Sequence, residues 1–234
     1  MGLIIYLKIA PFHLFCMPII SASILSSDVC DLARQLPELC KETDWLHLDV
    51  MDGNFVPNIT FGFPVIKSLR SKTKMFFDTH LMVAKPDRYF ERFAESGSNL
   101  ICFHAETVSE SKKAIKAVKD LGCKVGLAVN NGIAVESIFP FLSELDLVLV
   151  MGVQAGFGAQ QFIEGNIEKI KSLKRKIVSE KLHALVSVDG GVNGQNAKKL
   201  ADAGADVLVI GNSIFGKGNP LQNLKSLKQM LSIR

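Results

Sequence analysis

His47 and Asp49 stand two residues apart in WLHLDVMDGNFVPN (45–58), a run that otherwise reads as a buried β-strand and the loop leaving it. A strand alternates its side chains between two faces, so His47, Asp49 and Met51 share one face and Leu46, Leu48 and Val50 the other. An ionised carboxylate buried there needs a cation or donors beside it. Two further runs supply candidates: FFDTHLMV carries His80, with Asp78 and Met82 on its own face, and VSVDGGV carries Asp189. Two imidazoles and two carboxylates, His47, Asp49, His80 and Asp189, form a ligand set for one borderline divalent ion, Zn²⁺, Fe²⁺, Mn²⁺ or Co²⁺, rather than for Ca²⁺ or Mg²⁺. Met51, Met82 and Met151 each end a strand-like run, where they can floor a reacting carbon with apolar surface.

These residues need elements that bring them together. From Ile19 onward eight β-rich runs (IISASIL, WLHLDV, MFFDTHLMV, LICFHA, KVGLAV, LDLVLVM, ALVSVDG, DVLVIGN) alternate with segments of helical periodicity such as DVCDLARQLPELCKE and SESKKAIKAVKDLG. Strict β/α alternation implies parallel strands, and eight units without a linker predict one (β/α)8 TIM barrel over residues 17–234. A doubly wound open sheet is the alternative. In such a barrel the active site lies where strands end, which is where the four candidate ligands fall. Three glycine-bearing stretches follow the last three strands: QAGFGAQ (154–160) with Gly156, Phe157, Gly158 and Ala159; DGGV (189–192) with Gly190 and Gly191; and IGNSIFG (210–216) with Gly211 and Asn212. Glycine lets backbone N–H groups approach a phosphate, so these stretches are the expected phosphate site.

The bulk composition agrees with a small anionic ligand. The 234 residues are 48% hydrophobic, and their net charge of +4 comes from 27 basic and 23 acidic residues without a dense basic cluster, which argues against a nucleic-acid partner. No segment is long and apolar enough to span a membrane. Five cysteines without a Cys-x-x-Cys pair read as reduced thiols in a cytoplasm. Residues 1–16 precede the first strand as an N-terminal extension, disordered or the product of an early start codon. His13 lies in that leader and His183 at the far rim. Trp45 reads as packing, Asp52 as a turn former, and His104 with Glu106 as groups near the site that support it or act in it.

SASILSSD, HLDVMDGNFVPNITFG, THLMV, the GFG of the sixth loop and VDGGV, in that order, resemble the signature segments of the ribulose-phosphate 3-epimerase family over nearly all of residues 17–234. The resemblance implies a barrel of the ribulose-phosphate-binding type, an isomerase of the pentose phosphate pathway, and a divalent metal on His47, Asp49, His80 and Asp189. It also implies that Asp49 and Asp189 are the acid/base pair that inverts C3 through an enediolate, that Ser23 and His80 touch the substrate, and that Met51, Met82 and Met151 line the space beside the reacting carbon. A homo-oligomer is expected. The chain departs from the family in the sixth loop: Ala155 and Ala159 stand where proline and a second glycine are usual, and Gly152, Gln154 and Asn212 also differ. A ketohexose 6-phosphate 3-epimerase is therefore the alternative substrate reading. A silent metal or sugar-phosphate binding protein would be expected to lack one of the two aspartates.

Overall fold

A computed structural model describes residues 17–232; the expectation for residues 1–16 falls outside them. Eight parallel strands close into a barrel in the order in which they occur in the chain, which excludes the open-sheet alternative. They are β1 (Ile19–Ser23), β2 (Trp45–Met51), β3 (Phe76–Met82), β4 (Leu100–His104), β5 (Lys124–Val129), β6 (Leu147–Met151), β7 (Leu185–Asp189) and β8 (Val207–Ile210). Helices α1 (Leu32–Leu39), α2 (Phe63–Arg70), α3 (Phe90–Glu95), α4 (Ser111–Asp120), α5 (Asn166–Ser179), α6 (Ala197–Asp202), α7 (Asn212–Phe215) and α8 (Pro220–Ser232) return the chain between strands or close it. Between β5 and β6 the return is a 3-10 segment, Val135–Glu144, in which Pro140 has no N–H to give an α-helical ladder.

Strand alternation divides the core into two layers. Leu46, Leu48 and Val50 point outward and join one large cluster with helix residues such as Leu36, Ile66 and Ile115. Met51, Met82, Leu100, Cys102, Leu147, Leu149, Met151, Val207 and Val209 fill the barrel interior. At the lower end Trp45 stacks on Phe76 with ring centroids 4.4 Å apart, the packing role expected of it. Each fully buried Leu or Phe in these layers contributes roughly 1.5–3 kcal/mol relative to its exposed state.

Two strands end two residues before their β-rich sequence runs. β1 stops at Ser23 because its hydroxyl accepts from the Leu25 N–H at 3.4 Å and turns the chain into a 3-10 turn. β8 stops at Ile210, after which Gly211 starts α7. Both stops lie at the rim that carries the site.

Candidate active site

The register of β2 against β3 builds the centre of the site. His47 lies opposite Asp78, Asp49 opposite His80, and Met51 opposite Met82, so the two H-x-D-x-M and D-x-H-x-M faces meet as complementary pairs. Ser23 is the Cα partner of His47, and Met151 of Asp189. The ligand-type atoms of His47, Asp49, His80 and Asp189 all lie within 4.8 Å of one another. Ligand bonds of about 2.0–2.2 Å to a borderline divalent ion would hold donor atoms within roughly 4 Å of one another, so the cluster is close to that size.

His47 and Asp49 are oriented from behind. Asp78 Oδ2 lies 2.7 Å from His47 Nδ1, which places the proton there and leaves Nε2 as the free lone pair. His47 Nε2 is buried without a hydrogen-bond partner, although Asp49 Oδ1 is 3.2 Å and Asp189 Oδ2 3.8 Å away. A buried orphaned nitrogen among carboxylate oxygens fits a cation, so this donor set suits a divalent metal. Ser23 Oγ donates to Asp49 Oδ2 at 2.7 Å, while Asp49 Oδ1 lies 3.3 Å from His80 Nδ1. Asp189 Oδ2 is 3.6 Å from the same nitrogen.

The electrostatics without a metal follow from this crowding. Burial disfavours the His47 cation, but the carboxylates of Asp49 and Asp78 outweigh it and hold the imidazole well above its usual pKa. His80 is raised in the same way against burial, by Asp189 and Asp49. Burial opposes the charge on Asp49, yet the facing histidines hold its carboxyl far below the usual range. His104 goes the other way, because burial dominates and pushes it down.

Above this floor lies a cavity of about 140 Å³. Asp49, Asp189, Ser23 and the three rim methionines line it, together with Gly156, Phe157, Gly158, Ala159, Gly190, Gly191, Gly211 and Asn212. His47 and His80 lie beneath it, fully buried. Since glycines have no side chain, much of the far wall is peptide backbone, and among the described residues no lysine or arginine lines it. Gly191 has φ +71°, and a Cβ there would stand 2.5 Å from the Phe162 nitrogen, so the loop after β7 packs against the sixth loop only because it is bare. Asn58 Nδ2 ties the second loop to the sixth through Gly156 O at 2.9 Å.

Other sequence candidates sit elsewhere. Asp52 accepts from the Asn54, Phe55 and Ala84 N–H groups, as a turn former does, and His183 is exposed before β7 at the opposite rim. His104 stacks behind His80, with the two Nε2 atoms 2.9 Å apart. Asp78, whose place beside His47 depends on the strand register, is the supporting residue that spacing alone did not single out.

The Ribulose-phosphate 3 epimerase family model matches residues 19–215. The cytoplasmic isoform of ribulose-phosphate 3-epimerase from Oryza sativa subsp. japonica is 39% identical over 215 residues, covering 90% of this chain and 92% of its own. The ribulose-phosphate 3-epimerase of Bacillus subtilis is 37% identical over 211 residues, covering 89% and 97%. Among solved structures, KGPDC from Streptococcus mutans is similar with a TM-score of 0.70, covering 92% of this chain and 98% of its own. At 15% sequence identity that likeness speaks to the barrel alone.

Proposed function

The chain belongs to the ribulose-phosphate 3-epimerase family, and from that premise we propose that it interconverts D-ribulose 5-phosphate and D-xylulose 5-phosphate with Asp49 and Asp189 as its two proton carriers. The single observation that carries the residue assignment is that these two carboxylates, from the non-neighbouring strands β2 and β7, both line the one cavity above the histidines.

Inversion at C3 requires a base on one face of the carbon and an acid on the other. One aspartate removes the C3 proton, an enediolate forms, and the other aspartate returns a proton to the opposite face, so the sugar need not turn over. Asp49, held ionised by its neighbours and fixed by Ser23, starts as a base. Met51, Met82 and Met151, each 4% exposed or less, form an apolar floor beneath the reacting carbon and keep water from that side of the enediolate. The fit of the donor set supports His47, Asp49, His80 and Asp189 as the holders of one divalent ion, Zn²⁺, Fe²⁺, Mn²⁺ or Co²⁺. When bound, it supplies positive charge for the oxyanion that develops beside C3.

The phosphate belongs on the glycine wall of the sixth, seventh and eighth loops, where backbone N–H groups and the Asn212 and Ser213 side chains hold it without a cationic residue. Ala155 and Ala159 in that wall favour one second reading, a ketohexose 6-phosphate as substrate. Residues 17–234 form the catalytic domain in this reading, working as a homo-oligomer in a reducing cytoplasm. Free thiols at Cys30, Cys40, Cys102 and Cys123 support that compartment.

Purified protein is assayed with ribulose 5-phosphate and with a ketohexose 6-phosphate, before and after chelation. Turnover of the pentulose that chelation abolishes and Zn²⁺ or Mn²⁺ restores is the expected result. Exclusive turnover of the hexulose phosphate would move the assignment to the second reading, and activity untouched by thorough chelation would remove the metal.

A further inference from the structure

His80 Nδ1 faces Asp49 and Asp189, while its other nitrogen faces a third histidine that the reaction does not use. His104 is wholly buried at the end of β4, with its ring centroid 5.1 Å from that of His80 and 4.7 Å from that of Phe55. Its Nδ1 has no hydrogen bond of its own, and the acceptor that faces it is Glu106 Oε1, 3.4 Å away. Asn130 Nδ2 donates to that same Oε1 at 3.0 Å and holds it in place, and the row reaches partial exposure at Glu106, whose side chain is 28% exposed.

The proton positions along this row are forced. If Nδ1 of His80 is to offer a lone pair to a metal, its proton must sit on Nε2. That N–H can donate to His104 Nε2 only if this nitrogen is bare, so the His104 proton must sit on Nδ1. A proton there is held by an acceptor in front of it, and Glu106 is that acceptor. We propose that His104 and Glu106 are positioning residues, a relay that fixes the tautomer of His80 and keeps the Nδ1 lone pair aimed at the metal. The inference rests on the metal reading of the site given above.

The test uses the full chain and Zn²⁺ alone. Zn²⁺ affinity by chelator competition, the melting temperature of the metal-free protein and ¹⁵N signals of the histidine rings are compared for the parent, Glu106→Ala, Glu106→Gln and His104→Phe. Lost supporting partners weaken metal binding about 10–100-fold, so His104→Phe and Glu106→Ala should fall in that range with metal-free melting near the parent's. Glu106→Gln keeps a carbonyl acceptor and should restore near-parent affinity. In the parent, His104 should carry its proton on Nδ1, and Glu106→Ala should shift it toward Nε2. Parent-like Zn²⁺ affinity in Glu106→Ala, or a His104 protonated on Nε2 in the parent, would overturn the relay. If the parent takes up no Zn²⁺, the metal reading fails by itself, and the His104 tautomer of the metal-free protein still decides the relay.

Discussion

Ser23 Oγ donates to Asp49 Oδ2 at 2.7 Å, and this bond decides which carboxylate oxygen remains for the histidines. Oδ1 is left facing His47 and His80, at 3.2 and 3.3 Å. A hydrogen bond to a charged group is worth about 1.5–3 kcal/mol, or roughly 10–150-fold in rate if it matters fully in the transition state. Ser23→Ala should therefore lower kcat/KM by about 10-fold or more. Steady-state kinetics within twofold of the parent would show that the bond does not position the base.

Charge at the site makes the metal-free protein sensitive to pH. His47 and His80 have folded pKa values above the unfolded value of about 6.5, so their contribution to stability is complete below that pH and is lost as pH rises through the folded values. Asp49 is depressed, so its contribution is present above about pH 3.9 and is lost as pH falls toward its folded value. Without metal, the melting temperature should peak between about pH 5 and 6.5 and decline toward pH 9. Metal ligation needs neutral imidazoles, so the gain in melting temperature on adding Zn²⁺ should grow over the same range. A flat metal-free profile from pH 6 to 9 would contradict the crowding of carboxylates on these histidines.

Ala159 has φ +58°, a left-handed conformation that suits the glycine usual at this point in the family. An L-residue pays about 1–2 kcal/mol there, whereas a glycine loses about 0.4–1 kcal/mol through the greater freedom of the unfolded chain. Relief of strain wins narrowly, so Ala159→Gly should melt no lower than the parent, at most about 3–6 °C higher for a barrel of this size, and bind sugar phosphate at least as tightly. A melting temperature several degrees below the parent's would show that the alanine makes packing contacts outweighing its strain.

Much of this was legible from alternation and order. The strand runs and their inward faces followed from period-two patterning, but only Asp189 ends its strand: Asp49 and His80 lie two residues before the ends of β2 and β3 and His47 four before, so the histidines sit beneath the rim rather than on it. Asp189, more than a hundred residues from His80, joins them only through barrel closure, which the β/α count implied. The roles of Asp49 and Asp189 as proton carriers came from the family resemblance, since spacing offers ligands and bases alike. Asp78 was placed on the face of His80, but its partnership with His47 stayed hidden because a single strand does not reveal its register against its neighbour. The His104–Glu106–Asn130 row stayed half seen for a related reason: Glu106 lies in the 3-10 turn Ala105–Thr107, and its partner Asn130 comes 24 residues later, after β5. The strain at Ala159 was signalled only by the glycine usual there in the family, because alanine itself does not mark a turn.

The central claim, two opposed aspartates carrying protons on either face of C3, is tested most directly by solvent exchange in D₂O. Asp49→Asn and Asp189→Asn are each incubated with ribulose 5-phosphate and with xylulose 5-phosphate, and deuterium at C3 is followed by NMR with the metal content of each variant measured alongside. With metal retained, each variant should wash deuterium into one epimer without inverting it, and the two variants should choose opposite epimers. A variant that keeps its metal and still interconverts the epimers at near the parent rate would contradict the two-aspartate mechanism.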